Sequence, residues 1–210
     1  MDWHTWFAFF VASWIIAVSP GSGAVLSMSH GLSYGVRKTS ATIMGLQLGL
    51  LAILLIAGAG VGSLLMASEW AFNVVKVVGA CYLIYLGFNQ WRSGGSPLMT
   101  QEAAPEVSLK KRVLTGFLTN ATNPKGIIFM VAVLPQFMTT SRPLAPQLAI
   151  LAITMLAVDT TVMHSYAAGA SALRGLMRSA RAMRNQNRVF GGLLMAVGAG
   201  LFFVQRSSEA

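Results

Sequence analysis

The stretch from Thr115 to Phe137 constrains the fold of this chain most strongly. It is apolar over a length that can cross a bilayer, since about 20 apolar residues of helix span the hydrocarbon core. Asn123, Pro124 and Lys125 nevertheless lie at its middle. Proline removes a backbone N–H and breaks a helix, and a lysine at mid-bilayer costs roughly 2.5–3.5 kcal/mol on insertion scales. A simple anchor would carry apolar residues here, so this stretch predicts a broken helix with a function.

A second apolar stretch, from Trp6 to Met28, is interrupted in the same way. The interruption consists of Ser19, Pro20, Gly21, Ser22 and Gly23. A half-helix that restarts near Gly23 would direct free N–H groups and its positive dipole end at an anion. Paired, interrupted apolar segments in two halves of a chain indicate a transporter binding site. The alternative is a kink that only helps helix packing.

The composition predicts one membrane domain over residues 1–210. The chain has 210 residues, 55% hydrophobic and 10% charged, with a mean hydropathy of +0.63, which is typical of an integral membrane protein. The net charge of +9 would suggest nucleic acid in a soluble protein. Here the basic residues lie between apolar runs, so we expect membrane lipid and no nucleic acid as a partner.

Cysteine and histidine usage points away from metal or redox chemistry. Cys81 is the only cysteine, so no intramolecular disulfide can form. His4, His30 and His164 are scattered and lack the spacing of zinc ligands. We therefore expect no metal and no cofactor.

The hydrophobic pattern predicts an all-α membrane protein with six transmembrane helices. The spans are expected at about 5–28, 40–66, 70–91, 113–136, 145–172 and 189–205. Eleven of the fifteen basic residues follow spans one, three and five. Cytoplasmic loops carry the basic excess, so both termini are predicted outside a bacterial inner membrane. The first run lacks basic residues before Arg37 and is too long for a signal peptide, which predicts a retained helix.

The six spans divide into two halves. A linker at about 93–108, rich in Gly, Pro and Ser, would join repeat one (about 1–92) to repeat two (about 109–210). Three spans per half invert the second half relative to the first. Pro20 corresponds to Pro124 by position, and 42–47 resembles 154–159. We predict two inverted three-helix repeats in which helices 1 and 4 are interrupted.

Asp159 is the only acidic residue well inside a span. An intramembrane carboxylate is a functional hypothesis by default. It could bind a substrate ammonium or take up and release a proton. The alternative is a buried pair with Lys125 that only holds two helices together.

Four further polar residues are candidates for the same site, and each has a structural alternative. Lys125 could bind a substrate carboxylate or pair with carbonyls freed by Pro124. Asn123 could contact a ligand or satisfy such freed groups, as could Asn120. Gln47 lies within the Gly45–Gly49 pair, a spacing typical of close helix packing, so it is either interhelical glue or a polar wall.

Weaker candidates are Lys76, which lies near the outer end of its span and can snorkel to the surface, and His164 and Tyr166, for which packing roles are expected. The arginines spaced along 174–188 suit a surface helix on anionic lipid but are also explained by positive-inside charge alone.

Several short motifs resemble the LysE/RhtB family of bacterial amino-acid exporters over nearly the whole chain. They are Ser-Pro-Gly-Ser-Gly-Ala at 19–24, Gly-Leu-Gln at 45–47, Tyr-Leu-Ile-Tyr-Leu-Gly at 82–87, Thr-Asn-Ala-Thr-Asn-Pro-Lys at 119–125, Pro-Gln-Phe at 135–137, and Val-Asp at 158–159 with Tyr166. Many members carry Ser-Pro-Gly-Pro in the first motif. Ser22 replaces the second proline, as in the homoserine/homoserine lactone efflux branch. The resemblance implies efflux of amino acids, driven by protons.

The combined expectation is efflux of small neutral amino acids such as homoserine, homoserine lactone or threonine by alternating access. Asp159 would couple transport to protons, and nine residues are predicted to bind substrate: Pro20, Gly21, Ser22, Gly23, Gln47, Asn123, Pro124, Lys125 and Asp159. Amino acid and proton would be its partners, and a homo-oligomer is compatible with the sequence. The alternatives are export of basic amino acids or cations, and a non-transporting membrane scaffold. An enzyme would need a nucleophile–base set or a metal cluster, and the sequence suggests neither.

Overall fold

The computed structural model describes residues 1–67, 69–92, 107–172 and 180–202. These residues form helices and no strand, which confirms the all-α prediction. The helices are α1 (Trp3–Val18), α2 (Ser22–Ala67), α3 (Glu69–Arg92), α4 (Leu109–Ala121), α5 (Pro124–Val133), α6 (Leu144–Ala172) and α7 (Ala180–Leu201), and a 3₁₀ helix (Leu134–Phe137) continues α5. Most of the predicted 93–108 linker and the 174–179 part of the predicted surface helix lie outside the described residues.

Both predicted helix breaks are present. Ser19 ends α1 in an extended conformation, as expected for a residue before Pro20. The pair α4 and α5 bends by 51° at its junction, which Thr122 and Asn123 form. Pro124 is the first residue of α5, a position where a helix does not use the missing N–H.

Gly35 divides α2 into two arms, 22–34 and 36–67. Its φ of 74° and ψ of 167° are non-helical and are readily adopted only by glycine. His30 Nδ1 lies 2.6 Å from Thr42 Oγ1, although twelve residues of straight helix would separate them by about 18 Å. The arms therefore fold back on each other. The prediction of a loop between residues 28 and 40 was wrong, because one glycine with a positive φ reverses the chain there without a loop.

Long-range hydrogen bonds give the directions of the helices. Trp6 donates to Thr154 at 3.0 Å, and Tyr166 donates to the carbonyl of Val18 at 2.6 Å. Both pairs are 148 residues apart, so α1 and α6 run parallel.

The second arm of α2 runs parallel to α4 by the same reasoning. Arg112 donates to Lys38 O at 2.9 Å and Asn120 donates to Leu46 O at 2.8 Å, and both pairs are 74 residues apart. In contrast, α3 and α7 are antiparallel, because Gly87 approaches Gly191 while Ala80 approaches Gly198.

Glycines allow the second arm of α2 to lie directly on α4. A Cβ at Gly49 would be 2.5 Å from the carbonyl of Phe117, and one at Gly45 would overlap the carbonyl of Val113. Gly116 of α4 approaches the carbonyl of Thr42 equally closely. The structure confirms the Gly45–Gly49 pair as a packing face.

Two described helices are long and apolar enough to cross a membrane, Ser22–Gly60 and Leu144–Ala172. The bent pair α4 and α5 adds a third if it counts as one span. The first of these helices contains the first arm of α2 and most of the second. Trp3–Val18, Lys76–Asn89 and Gly191–Gly200 are shorter apolar helical stretches. The count of six spans stays a prediction.

Candidate functional site

The two helix breaks meet near the middle of the bundle. Lys125, in the first turn of α5, donates from Nζ to the carbonyls of Ser19 at 2.6 Å and Ile16 at 3.2 Å. A Cβ at Gly21 would lie 3.1 Å from the same nitrogen, so a larger residue there would crowd the lysine. The ammonium of Lys125 caps the carboxyl end of α1.

Tyr166 completes this cap. The last carbonyls of a helix have no partner within the helix, and the hydroxyl of Tyr166 donates to that of Val18 at 2.6 Å. Cations near a helix carboxyl end also interact favourably with its dipole. The break in α1 is therefore stabilised from α5 and α6, and Tyr166 has the packing role that the sequence suggested.

The break between α4 and α5 is stabilised by asparagines. The side chain of Asn123 accepts from the backbone N–H of Lys125 at 3.1 Å and caps α5. Asn120 is buried and holds α4 to the second arm of α2 through Leu46. Both residues satisfy backbone groups, which was one of the two roles expected for them.

Asp159 of α6 has Gln47 as its hydrogen-bond partner. Gln47 Nε2 donates to Asp159 Oδ2 at 2.7 Å, and Asp159 is 8% exposed. Gln47 Oε1 is buried and has no hydrogen-bond partner among the described residues. Thus the bonds of Lys125 go to α1 and that of Asp159 goes to α2.

These groups surround a cavity of about 40 Å³. Five of the nine residues predicted to bind substrate line it: Gly21, Gly23, Asn123, Lys125 and Asp159. Gln47 reaches it through Asp159. Pro20 contributes to a helix break, whereas Ser22 and Pro124 are exposed. The cavity, called the central cavity below, holds a few water molecules, since one needs about 10–15 Å³ by this measure.

An apolar wall completes the central cavity. Met155 and Met163 lie one turn on either side of Asp159 on α6, and Phe129 and Met130 face the cavity from α5. The sequence analysis missed these residues. The spacing of four between Met155, Asp159 and Met163 places them on one helix face and could have indicated the two methionines.

The central cavity lies near mid-depth. Gln47 is twelve residues beyond the turn at Gly35, and Asp159 is twelve residues beyond Gln147 near the start of α6. Each interval is about 18 Å of helix, against a hydrocarbon core of about 30 Å. The polar groups are therefore far from both ends of the bundle.

Two broken helices that face each other at mid-depth, around a buried carboxylate and a lysine, are the arrangement expected of a transporter. The chain belongs to the LysE type translocator family, which matches residues 14–205. This confirms the family resemblance and the prediction of a transporter rather than an enzyme.

Two relatives match over nearly the full length and a third over a shorter stretch. A Vibrio cholerae protein described as an uncharacterized membrane protein is 39% identical over 94% of this chain and 96% of its own. The homoserine/homoserine lactone efflux protein of Salmonella typhi is 37% identical over 95% of this chain and 96% of its own. A leucine efflux protein of an Enterobacter species is 30% identical over 62% of each chain. No solved structure gives a significant match.

Proposed function

We propose that this protein exports small neutral amino acids, such as homoserine, homoserine lactone or threonine, across the bacterial inner membrane by proton-coupled alternating access. The observation that carries the proposal is the Gln47–Asp159 hydrogen bond, whose buried carboxylate lines one cavity with Lys125 where both broken helices meet. The name of the Salmonella typhi relative supports the substrate class.

The site offers complementary groups to an α-amino acid. The first N–H groups of α2, near Gly23, have no partner within their helix and would bind the substrate carboxylate or the lactone carbonyl. Lys125 has three N–H donors and uses two on the carbonyls of α1, so one remains for the same oxygen. Asp159 would bind the α-ammonium.

Gln47 has an acceptor to spare. An unsatisfied buried acceptor costs about 1–3 kcal/mol, and Gln47 Oε1 is such an atom. An ammonium bound at Asp159 would offer it a hydrogen. Gln47 would then recognise the ligand and also hold the carboxylate in place.

Competition at Asp159 gives the exchange cycle. A substrate ammonium and a proton both neutralise the same carboxylate, so the binding of one releases the other. A proton arriving from the outside would displace substrate outward and would itself be released inside when the next substrate binds.

The central cavity is smaller than an amino acid, because small-molecule pockets measure about 300–1,000 Å³ and this one about 40 Å³. Substrate must therefore enter and leave through conformations in which helices separate. The breaks beside Ser19 and Asn123 are the positions where half-helices can move independently.

The directions of the helices support the six-span, inverted-repeat architecture. Span one (α1 and the first arm of α2) would be parallel to span five (α6), and span two (the second arm) to span four (α4 and α5). Span three (α3) would be antiparallel to span six (α7). If spans one to three are exchanged with spans four to six, the first relation becomes the second and the third is unchanged. Two inverted repeats would have this property.

Everted membrane vesicles test the proposed function, because export then appears as uptake. With the vesicle interior acidified, we expect accumulation of radiolabelled homoserine and threonine that unlabelled homoserine lactone inhibits. Lysine and leucine serve as comparison substrates. If lysine accumulates and homoserine does not, the substrate class is wrong. If nothing accumulates above vesicles without the protein, transport itself is contradicted.

The orientation gives a separate prediction. A reporter fused after Lys110 should be cytoplasmic, and one fused after Ser141 should be outside, because the basic loops are expected in the cytoplasm. Alkaline phosphatase is active outside and green fluorescent protein is fluorescent inside, so each position is measured with both. The reversed pattern at both positions would contradict the predicted orientation.

A further inference from the structure

A second and larger cavity lies at the predicted outer end of the bundle. The start of α1, the 3₁₀ helix and the loop before α6 enclose about 270 Å³, near the lower limit of about 300 Å³ for small-molecule pockets. We call it the outer cavity; its polar lining includes Asp2, Thr5, Gln136, Ser141, Arg142 and Gln147. None of these residues belongs to the central cavity.

The outer cavity carries one negative and one positive side chain. The Asp2 carboxylate accepts from the backbone N–H and from the hydroxyl of Thr5, both at 2.8 Å. These bonds, the backbone one first, lower the pKa of Asp2 to about 2, and each carboxylate oxygen keeps a further acceptor site. The Arg142 side chain is exposed, and its guanidinium forms no hydrogen bond or ion pair within the described part of the chain.

The loop that carries Arg142 is held in place by one buried side chain. Gln147 is 2% exposed, and its Oε1 accepts from Thr139 N at 3.0 Å. Its Nε2 lies within 2.9–3.1 Å of the carbonyls of Thr139, Arg142 and Pro143. The amide fixes the backbone on both sides of the arginine, so this wall of the outer cavity is preorganised.

Gln136 adds an unused acceptor to this wall. Its Nε2 donates to the carbonyl of Ala132 at 3.4 Å, while its Oε1 is buried and has no hydrogen-bond partner among the described residues. A cationic hydrogen-bond donor in the outer cavity would satisfy it. Arg142 is also the one basic residue that the predicted topology assigns to an outer loop, where the positive-inside bias disfavours it.

We propose that the outer cavity is a second amino-acid site, in which Arg142 binds the carboxylate of a zwitterion and Asp2, with Gln136 Oε1, binds its ammonium. Guanidinium–carboxylate pairs are charge-assisted and geometrically specific. The substrate class and the direction of passage rest on the proposed function, which makes this site the last one that an exported molecule occupies.

The position of the outer cavity fits an exit site. Thr5 precedes Ser19 by fourteen residues of α1, and Gln147 precedes Asp159 by twelve residues of α6, which are about 21 Å and 18 Å of helix. Between the cavities, Phe9 packs edge-on against Phe137 with 5.3 Å between ring centroids. Leu134 and Leu151 are fully buried in the same core. An apolar layer therefore separates the two sites, and substrate would reach the outer one when this layer opens.

Cysteine protection in detergent-solubilised protein tests the site directly. In a Cys81→Ser background, Ser141→Cys places a thiol on the wall of the outer cavity, and Thr140→Cys places an exposed control beside it. Homoserine at ten times its dissociation constant should slow thiol modification at position 141 about tenfold by simple occupancy. The rate at position 140 should not change.

Two charge variants assign the contacts. Adding Arg142→Gln or Asp2→Asn should raise the homoserine concentration needed for half-maximal protection about 10- to 100-fold. This is the range for the loss of one charge-assisted hydrogen bond. Propionate and ethanolamine, which each carry one of the two charged groups, should protect poorly at the same concentrations. Equal protection at both cysteines, no protection at either, or protection unaffected by both charge variants would overturn the site.

The same thiols separate this proposal from the proposed function. Asp159→Asn should leave protection at position 141 intact, because Asp159 lies outside the outer cavity. Transport without Arg142-dependent protection overturns only the outer site, whereas protection in a protein that does not transport overturns only the export function. In spheroplasts, a membrane-impermeant thiol reagent should reach position 141, and access only from everted vesicles would overturn the exit placement.

Discussion

Replacement of Asp159 by asparagine is expected to abolish proton-driven accumulation while leaving downhill exchange of substrate. Asparagine keeps an oxygen for Gln47 Nε2, which bonds to the carboxylate at 2.7 Å, so the packing should survive. It can neither carry a proton nor hold an ammonium by charge. A proton gradient of one pH unit corresponds to about 1.4 kcal/mol. An exchanger that moves one proton for each substrate molecule can therefore sustain about tenfold substrate accumulation. The variant should sustain a ratio of about one.

Proton-driven accumulation is measured as uptake into everted vesicles with an imposed pH gradient. Downhill exchange is measured as counterflow of labelled substrate without a pH gradient. Glu106→Gln, which neutralises a carboxylate in the predicted linker, is the matched control and should accumulate substrate as the unaltered protein does. Accumulation by the Asp159→Asn protein at that same level would refute the coupling role. Its absence from the membrane would instead favour a structural role for the buried carboxylate.

Replacement of Lys125 by methionine is expected to lower thermal stability strongly and to stop export. It leaves the carbonyls of Ser19 and Ile16 without their donor, at about 1–3 kcal/mol for each unsatisfied buried group. It also removes a cation from the central cavity and from the carboxyl end of α1. The apparent melting temperature in detergent, followed by size-exclusion chromatography after heating, measures the loss.

Lys110→Met is the matched control, because Lys110 is exposed at the start of α4, and its melting temperature should not change. Lys125→Arg keeps the charge and donors and should recover part of the stability. Combining Lys125→Met with Asp159→Asn tests whether the two charges depend on each other, since removal of one partner of a buried pair costs more than removal of both. Unchanged melting of Lys125→Met would contradict the cap on α1.

The helix breaks could be predicted because their causes are local. Pro20 and Pro124 lack the N–H that a continuous helix needs, and this holds whatever surrounds them. Asp159 was likewise identifiable, because a lone carboxylate within an apolar span is costly wherever the span lies. The close packing of Gly45 and Gly49 followed from their spacing.

The reversal between the first two predicted spans was expected, but its form, a single glycine within α2 rather than a loop, was not. The neighbours of Gly35 read as the end of one span and the start of the next, and a glycine with positive φ cannot be told by sequence from one that lies in a helix. The backbone angles of Gly35 and the contact between His30 and Thr42 reveal that the two arms reverse direction without a loop.

The sequence by itself determined that this chain is a helical membrane protein with two broken apolar segments and a buried acid, since those properties follow from hydropathy and from the backbone chemistry of proline. The tertiary structure decided which groups meet. Lys125 caps a helix through Ser19, 106 residues earlier in the chain, and Gln47 binds a carboxylate 112 residues away. The outer cavity joins Asp2 to Arg142, two exposed charges that mean little apart. Such pairings depend on how helices pack, and packing is set by the fit of whole surfaces rather than by the residues next to each group in the chain.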